Sequence, residues 1–176
     1  MNVIDTPLAK VKIIEPKVFG DARGFFKETF SAERYANMVG ISLPFVQDNH
    51  SRSRKGVLRG LHFQKTKPQG KLVSVTRGAV YDVVADVNSS SPTFGQYVGV
   101  SEDNHRQLWV PPGYAHGFLV LSDEVDFVYK CTDYYDPSDE GGVAWNCPLL
   151  NIAWPLTNVQ LSEKDKNYLG LKDLHA

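Results

Sequence analysis

Short runs of residues that favour extended structure recur along this chain, and glycine, proline, asparagine and aspartate residues separate them. The runs are rich in valine, phenylalanine, tyrosine and threonine, which pack well on a pleated surface. They span residues 11–14, 25–30, 45–49, 57–63, 72–76, 80–87, 97–100, 107–110, 118–121 and 127–131. Many short strands with turn residues between them are typical of antiparallel sandwiches and barrels. The chain is therefore predicted to be all-β.

The run at residues 80–87 indicates that one sheet faces a polar interior. One face of this run carries Tyr81, Val83, Ala85 and Val87, and the other carries Val80, Asp82, Val84 and Asp86. Successive side chains of a strand point to opposite faces, so both carboxylates lie on the same face. A cupin or jelly-roll barrel, a double-stranded β-helix, closes short antiparallel strands around such a cavity and is the predicted fold.

Helix is predicted only at the periphery of the barrel. Ser31 is a suitable N-cap for a helix over residues 32–39, and Gly40 is suited to end it. A further turn is predicted after Ser162. Neither segment is long enough to organise a helical fold.

Length and composition limit the classes of function. A chain of 176 residues, 42% hydrophobic and 22% charged, is predicted to form a single domain over residues 1–176. The net charge of -1 and the lack of a long basic run argue against nucleic-acid and membrane partners. Asp5 and Pro7 interrupt the N-terminal segment, which does not resemble a secretory signal. Cys131 and Cys147, without Cys-x-x-Cys spacing, are expected to be structural thiols of a cytoplasmic protein.

Several polar side chains interrupt the apolar strands. Arg59 and His62 lie in the glycine-punctuated segment at residues 56–64, and His116 follows a proline-glycine turn. Buried polar groups need a partner or a chemical role. A structural histidine satisfied by a neighbour is one interpretation, and a catalytic histidine is the other. Lys71 opens a strand, and Tyr129 lies in an apolar strand. For Lys71 the alternatives are a solvated lysine and a catalytic one. For Tyr129 they are a packing residue and a catalytic one.

A metal site is not predicted, and neither is any other cofactor. Metal-binding cupins supply a His-x-His pair with a nearby glutamate, whereas Phe63 and Gln64 follow His62 here. His50, His105 and His175 lie far off without ligand spacing. A cavity with histidine, lysine, tyrosine and aspartate is suited to proton transfer, in which an imidazole removes a proton and a phenol returns one.

Motifs along nearly the whole chain resemble those of the dTDP-4-dehydrorhamnose 3,5-epimerase family, in the same order. They lie at residues 15–26, 45–51, 56–64, 69–73, 91–95, 112–118, 129–133 and 161–165. The resemblance implies epimerisation of dTDP-4-dehydro-6-deoxy-D-glucose at carbons 3 and 5, next to the C4 ketone, without a cofactor. One departure is Trp145-Asn146-Cys147, where the family commonly has Trp-Asn-Asp.

The resemblance also implies a role for each catalytic residue. His62 is similar to the general base, and Asp165 to the carboxylate that orients the imidazole ring. Tyr129 resembles the general acid on the opposite face of the sugar. Lys71 resembles the lysine near the C4 oxygen, where a cation stabilises a developing enolate.

Substrate-binding residues are implied in the same way. They are Arg23, Glu28, Gln47, Asn49, Arg59, His116, Tyr135 and Glu140. Among them, Arg59 and His116 resemble groups that hold the sugar nucleotide, and Tyr135 resembles the ring that stacks on thymine. The family resemblance further implies a homodimer in which Arg23 reaches the partner's nucleotide.

Three alternatives remain open at this point. A single-centre epimerase of a dTDP-4-keto-deoxysugar would use the same catalytic residues. A non-catalytic cupin that only binds a sugar nucleotide is a second alternative, and a metal-dependent cupin is a third.

Overall fold

A computed structural model describes residues 1–103 and 105–174. The strands are β1 (Asn2–Asp5), β2 (Lys12–Glu15), β3 (Val18–Asp21), β4 (Gly24–Lys27), β5 (Gln47–Arg54), β6 (Leu58–Gln64), β7 (Lys71–Arg77), β8 (Val80–Ala85), β9 (Tyr97–Glu102), β10 (Gln107–Val110), β11 (Ala115–Val120), β12 (Glu124–Cys131) and β13 (Glu140–Gly142). The helices are α1 (Ala32–Val39), α2 (Glu163–Lys166) and α3 (Leu171–Leu174).

Two antiparallel sheets form the body of the fold. One has the strand order β1-β2-β10-β7-β12-β5, and the other has the order β13-β6-β11-β8-β9. Strands β3 and β4 pair only with each other and form a separate hairpin. The two sheets share a buried apolar cluster in which the rings of Phe118 on β11 and Phe127 on β12 stack with centroids 4.0 Å apart. The predicted all-β jelly-roll architecture is confirmed.

Several strand boundaries differ from those predicted. Strand β11 begins at Ala115 and not at residue 118, so His116 lies within the strand instead of at its mouth. Strands β1, β3 and β13 were not predicted. The β13 sequence, Glu-Gly-Gly, has little intrinsic preference for extended structure, and it is a strand because it pairs with β6. Tertiary pairing thus overrides local propensity at β13.

The two helix predictions are confirmed. The Ser31 hydroxyl accepts a hydrogen bond from the Arg34 amide, and Gly40 ends α1 with a φ of 85°. Ser162 caps α2 by accepting from the Asp165 amide at 3.1 Å. Within the described part of the chain, no helix is long and apolar enough to cross a membrane.

Candidate active site

A cavity of about 260 Å³ lies between the two sheets. Most of the residues predicted to form the site line it, namely His62, Tyr129, Lys71, Gln47, Asn49, Arg59, His116, Tyr135 and Glu140. Strands β5, β7 and β12 supply one wall, and strands β6, β11 and β13 supply the other. The predicted groups therefore face one another across the interior of the barrel.

His62 and Asp165 form a hydrogen-bonded pair at this cavity. The Nε2 atom of His62 lies 2.7 Å from Oδ1 of Asp165, which is only 3% exposed. The second oxygen of Asp165 accepts the Gly60 amide at 3.1 Å. Asp165 itself does not line the cavity and reaches it through the imidazole. The structure thus brings together the two residues for which a base-and-orienter pairing was predicted.

The environment of Asp165 keeps its carboxyl ionised. Burial acts to raise the pKa of Asp165, but the hydrogen bond and charge of His62, the Gly60 amide and Lys164 outweigh it, so the pKa lies below its usual value. An ionised carboxylate accepts from the Nε2 proton of a neutral imidazole, which leaves Nδ1 unprotonated and able to accept a proton.

Two glycines explain the close approach of the strands that carry the histidines. Strand β6 pairs with β11 so that His62 and His116 are direct neighbours, with a register shift just beyond. A Cβ atom on Gly60, whose φ is 123°, would lie 2.6 Å from the Gly117 Cα. Only glycine at both positions permits this approach. The glycine punctuation in the sequence therefore positions the two imidazoles side by side.

His116 has its own buried carboxylate, Asp82. The Nε2 atom of His116 lies 2.5 Å from Oδ1 of Asp82, and Asp82 is 0% exposed. Its other oxygen, Oδ2, has no hydrogen-bond partner among the described residues. Strand alternation predicted Asp82 on the polar face of its strand but did not identify it as a partner of His116. Asp86, predicted on the same face, instead accepts hydrogen bonds from the loop residues Ser91 and Thr93.

Tyr129 and Lys71 lie on the opposite wall from His62. The Lys71 Nζ is 5.9 Å from the centroid of the Tyr129 ring. Burial raises the pKa of the Tyr129 phenol, which therefore keeps its proton at neutral pH. Burial lowers the pKa of the Lys71 ammonium, while the charges of Glu140 and Asp82 act in the opposite direction. The wall offers a phenolic proton donor beside a lysine side chain.

Glu140 links the base side of the cavity to its rim. Its carboxylate accepts from the Tyr135 hydroxyl at 2.6 Å and from the Lys164 ammonium at 2.8 Å. The His62 Nδ1 lies 4.0 Å from the same carboxylate. Lys164 lines the cavity and was missed by sequence reasoning, although its position next to Asp165 on α2 is a signal that could have found it.

Two other polar side chains of the cavity are oriented by their neighbours. Arg59 Nε donates to the Ser53 hydroxyl at 3.0 Å. Gln47 accepts the Tyr135 amide at 3.0 Å and donates to Asn49 at 3.1 Å. Amide groups held in this way are suited to read the edge of a planar heterocycle.

Arg23 and Glu28 do not reach this cavity within one chain. Arg23 lies at the turn of the β3–β4 hairpin, where its side chain is 90% exposed and pairs with Asp21. Glu28 accepts from Arg34 at 2.8 Å. Their contact with a nucleotide remains a prediction that requires a second subunit.

The described residues bring together few of the side chains that a metal ion would need. Among residues 1–103 and 105–174, no group of three or more histidine, cysteine, aspartate or glutamate side chains is placed to hold a metal ion. His50 bonds Asp126, His105 packs against Phe25, and His175 lies outside the described residues. Metal independence of the reaction stays a prediction.

Comparisons with known proteins place the chain in one family. The family model for dTDP-4-dehydrorhamnose 3,5-epimerase matches residues 5–173. The enzyme of that name from Shigella flexneri is 55% identical over 170 residues, covering 95% of this chain and 94% of its own.

Solved structures give the same result. The dTDP-6-deoxy-D-glucose-3,5-epimerase of Legionella pneumophila Philadelphia 1, in complex with dTDP-4-keto-L-rhamnose, has a TM-score of 0.94 and 56% identity, covering 97% of this chain and 93% of its own. The dTDP-4-dehydrorhamnose 3,5-epimerase of Bacillus anthracis, with TDP and PPi bound, has a TM-score of 0.91 and 46% identity, covering 95% and 97%. The chain belongs to the dTDP-4-dehydrorhamnose 3,5-epimerase family.

Proposed function

We propose that this protein epimerises dTDP-4-dehydro-6-deoxy-D-glucose at carbons 3 and 5 to give dTDP-4-dehydro-L-rhamnose, without a metal or cofactor. The observation that carries the proposal is a base and an acid on facing walls of one cavity. His62, paired with Asp165, lies on β6, and Tyr129 lies on β12 of the other sheet. The names of relatives more than half identical to this chain support the double epimerisation.

The substrate ketone makes the protons on carbons 3 and 5 acidic. His62 Nδ1 takes a proton from the carbon, and the electrons of the broken C–H bond form an enolate on the C4 oxygen. The Lys71 ammonium stabilises that charge. Tyr129 then donates its hydroxyl proton to the same carbon from the opposite face, and a new C–H bond forms with inverted configuration.

Each turnover at one carbon leaves His62 protonated and Tyr129 deprotonated. Exchange with solvent restores both groups before the second carbon reacts. Asp165 stabilises the intermediate imidazolium and holds the ring in the tautomer that exposes Nδ1 to the cavity. His116, paired with Asp82, supplies a further oriented imidazole near the sugar.

The nucleotide is proposed to lie towards the rim of the cavity. Arg59 suits the diphosphate, because a guanidinium can make two parallel hydrogen bonds to phosphate oxygens. The half-exposed Tyr135 ring suits stacking on thymine, and Gln47 and Asn49 suit pairing with its polar edge. The ligands of the Legionella and Bacillus relatives, a dTDP-sugar and TDP with PPi, support a site of this kind.

The functional unit is proposed to be a homodimer. The β3–β4 hairpin exposes Val18, Phe19, Phe25 and Phe26, the last with 71% of its surface accessible. Contiguous exposed aromatic surface is typical of a protein interface. A two-fold partner that covers this hairpin would bring Arg23 and Glu28 to the cavity of the other chain. The exposed hairpin, and the position of Arg23 and Glu28 outside the cavity of their own chain, support the pairing.

A cytoplasmic location is proposed from the two cysteine thiols. Cys131 and Cys147 are buried and free, and burial raises the pKa of the Cys131 thiol to about 11. Unpaired, protonated thiols are suited to the reducing cytoplasm. The catalytic unit is the single domain predicted over residues 1–176.

The product configuration tests the proposal. Purified protein is incubated with dTDP-4-keto-6-deoxyglucose, and the proton couplings of the sugar ring are measured by NMR. Inversion at carbons 3 and 5 supports the proposal. Inversion at one carbon indicates a single-centre epimerase, and binding with unchanged sugar indicates a non-catalytic cupin.

A further inference from the structure

We propose that Tyr168 is a positioning residue that holds the His62 imidazole against Asp165. The Tyr168 ring meets the His62 ring edge to face, with centroids 5.9 Å apart and an interplanar angle of 68°. Tyr168 does not line the substrate cavity. The inference rests on the proposed role of His62 as the base, and it adds a second constraint on that side chain.

The constraint comes from the same segment that supplies Asp165. Asp165 lies on α2, and Tyr168 follows just after the helix ends. One residue of this segment contacts a ring nitrogen of His62, and the other contacts a face or edge of the ring. A single chain segment therefore limits both the rotation and the tilt of the imidazole.

The strand beside His62 has a glycine where the Tyr168 ring lies. Gly142 on β13 is the direct neighbour of His62 in the pairing of β13 with β6. A Cβ atom on Gly142 would lie 2.4 Å from the Tyr168 ring. The absence of a side chain at residue 142 thus provides the space that the aromatic ring fills.

The contact is made by the ring and not by the hydroxyl group. Among the described residues, the structure gives the Tyr168 hydroxyl no hydrogen-bond partner. Burial, together with the nearby charges of Glu140 and Asp165, raises the pKa of Tyr168, so the group is neutral at the pH of catalysis. Phenylalanine should therefore replace tyrosine here without loss, whereas an aliphatic side chain should not.

A second constraint matters because the ring torsion of histidine is broad. The outer torsion of an imidazole has no sharp staggered minima, so one hydrogen bond leaves the ring free to swing. A misplacement of about 1 Å in a reacting group can lower a rate by about 100-fold. Contact with Tyr168 keeps Nδ1 directed into the cavity.

The test compares Tyr168→Leu with Tyr168→Phe and with Tyr134→Leu, a control at a tyrosine that is 64% exposed. Long-range proton–nitrogen NMR spectra report which nitrogen of His62 carries the proton, and kcat and KM are measured on the same samples. Tyr168→Leu should mix the His62 tautomers and lower kcat about 10- to 100-fold, with KM changed by less than about twofold. Tyr168→Phe and Tyr134→Leu should match the wild type in both measurements.

Gly142→Ala is a second way to remove the contact between the two rings. It keeps the tyrosine at residue 168 but fills the space that its ring occupies, so the ring must move. This variant decides the question if Tyr168→Leu does not fold, and it should reproduce the tautomer mixing. An unchanged His62 spectrum and unchanged kcat in folded Tyr168→Leu or Gly142→Ala protein would overturn the inference. The spectrum does not depend on turnover. A wild type without epimerase activity therefore contradicts the proposed function while the spectrum still decides the role of Tyr168.

Discussion

The Nε2 atom of His62 lies 2.7 Å from Oδ1 of Asp165 although 103 positions separate the two residues in the chain. A bridge between Val57 and Gln160 joins the start of β6 to the segment that precedes α2. The amide of Leu58 donates to the carbonyl of Gln160 at 3.0 Å. Because this bridge fixes the position of the segment that leads into α2, the Asp165 carboxylate lies beside the His62 imidazole.

Asp165→Asn should lower the epimerisation rate by about two to four orders of magnitude, because an amide no longer holds the productive tautomer or stabilises the imidazolium.

The same substitution should change the pH dependence of stability, because the folded-state pKa of Asp165 lies below its usual value. Its ionisation therefore stabilises the fold above the unfolded-state pKa, and that stability is lost as pH falls through the folded-state pKa. Urea unfolding should give the variant a lower free energy of unfolding than the wild type at neutral pH, and this difference should shrink in acid.

Asp173→Asn, on the surface of α3, is the matched control and should retain activity. A fully active Asp165→Asn enzyme would remove the carboxylate from the mechanism.

Tyr129→Phe should lose epimerised product far more than it loses exchange of the substrate protons with solvent. The base can still remove a proton and return it to the same face, whereas the opposite face has lost its donor. Two quantities are measured in the same samples, namely the deuterium incorporated into recovered substrate and the amount of inverted sugar formed. Equal losses of exchange and product would leave the two-face division of labour unsupported.

Arg23→Ala should weaken dTDP binding about 10- to 100-fold, because one charge-assisted contact from the partner chain is lost. Light scattering should give a dimer for both wild type and variant, and calorimetric titration gives the affinity. Arg77→Ala, another exposed arginine that pairs with Glu124, is the control and should bind normally. A wild type that is monomeric and fully active would contradict the shared pocket.

Tyr35→Phe should destabilise the fold by about 1–3 kcal/mol at neutral pH, because the buried Gln107 carbonyl loses its donor at 2.6 Å. Burial raises the pKa of Tyr35 to about 12. Because the folded-state pKa of Tyr35 is raised, its un-ionised phenol stabilises the fold. This stabilisation is fully present below the unfolded-state pKa of about 10, and it is lost as the pH rises to about 12.

The difference in unfolding free energy between wild type and Tyr35→Phe should therefore narrow across that alkaline range. Tyr134→Phe, at an exposed position, should track the wild type throughout. A constant difference from pH 7 to 12 would contradict the burial of an un-ionised phenol.

The sequence predicted the strands and helix whose own composition specifies them. The α1 helix has the predicted bounds because Ser31 and Gly40 encode its ends locally. Strand β10 likewise has its predicted bounds. Strand β13 escaped prediction because two of its three residues are glycines and its existence depends on pairing with β6.

The candidate site divides in the same way. His62 and Tyr129 stand out as polar groups within apolar strands, and their motifs identify them. The pairing of His116 with Asp82 spans 34 positions and depends on β8 lying next to β11, which alternation along one strand does not reveal. Tyr168 lies on a short surface segment without periodicity, and only the docking of the α2 segment shows its relation to His62. Lys164 differs, because its position beside Asp165 is a signal in the sequence.

The central claim is that one base and one acid invert two carbons beside a ketone, and isotope labelling tests it most directly. Wild-type enzyme and His62→Ala are incubated with dTDP-4-keto-6-deoxyglucose in deuterated water, and the sugar is examined by NMR. Wild type should carry deuterium at carbons 3 and 5, and the folded His62→Ala variant should incorporate it about two to four orders of magnitude more slowly. Label at only one carbon in the wild type, or near-normal labelling by His62→Ala, would contradict the account.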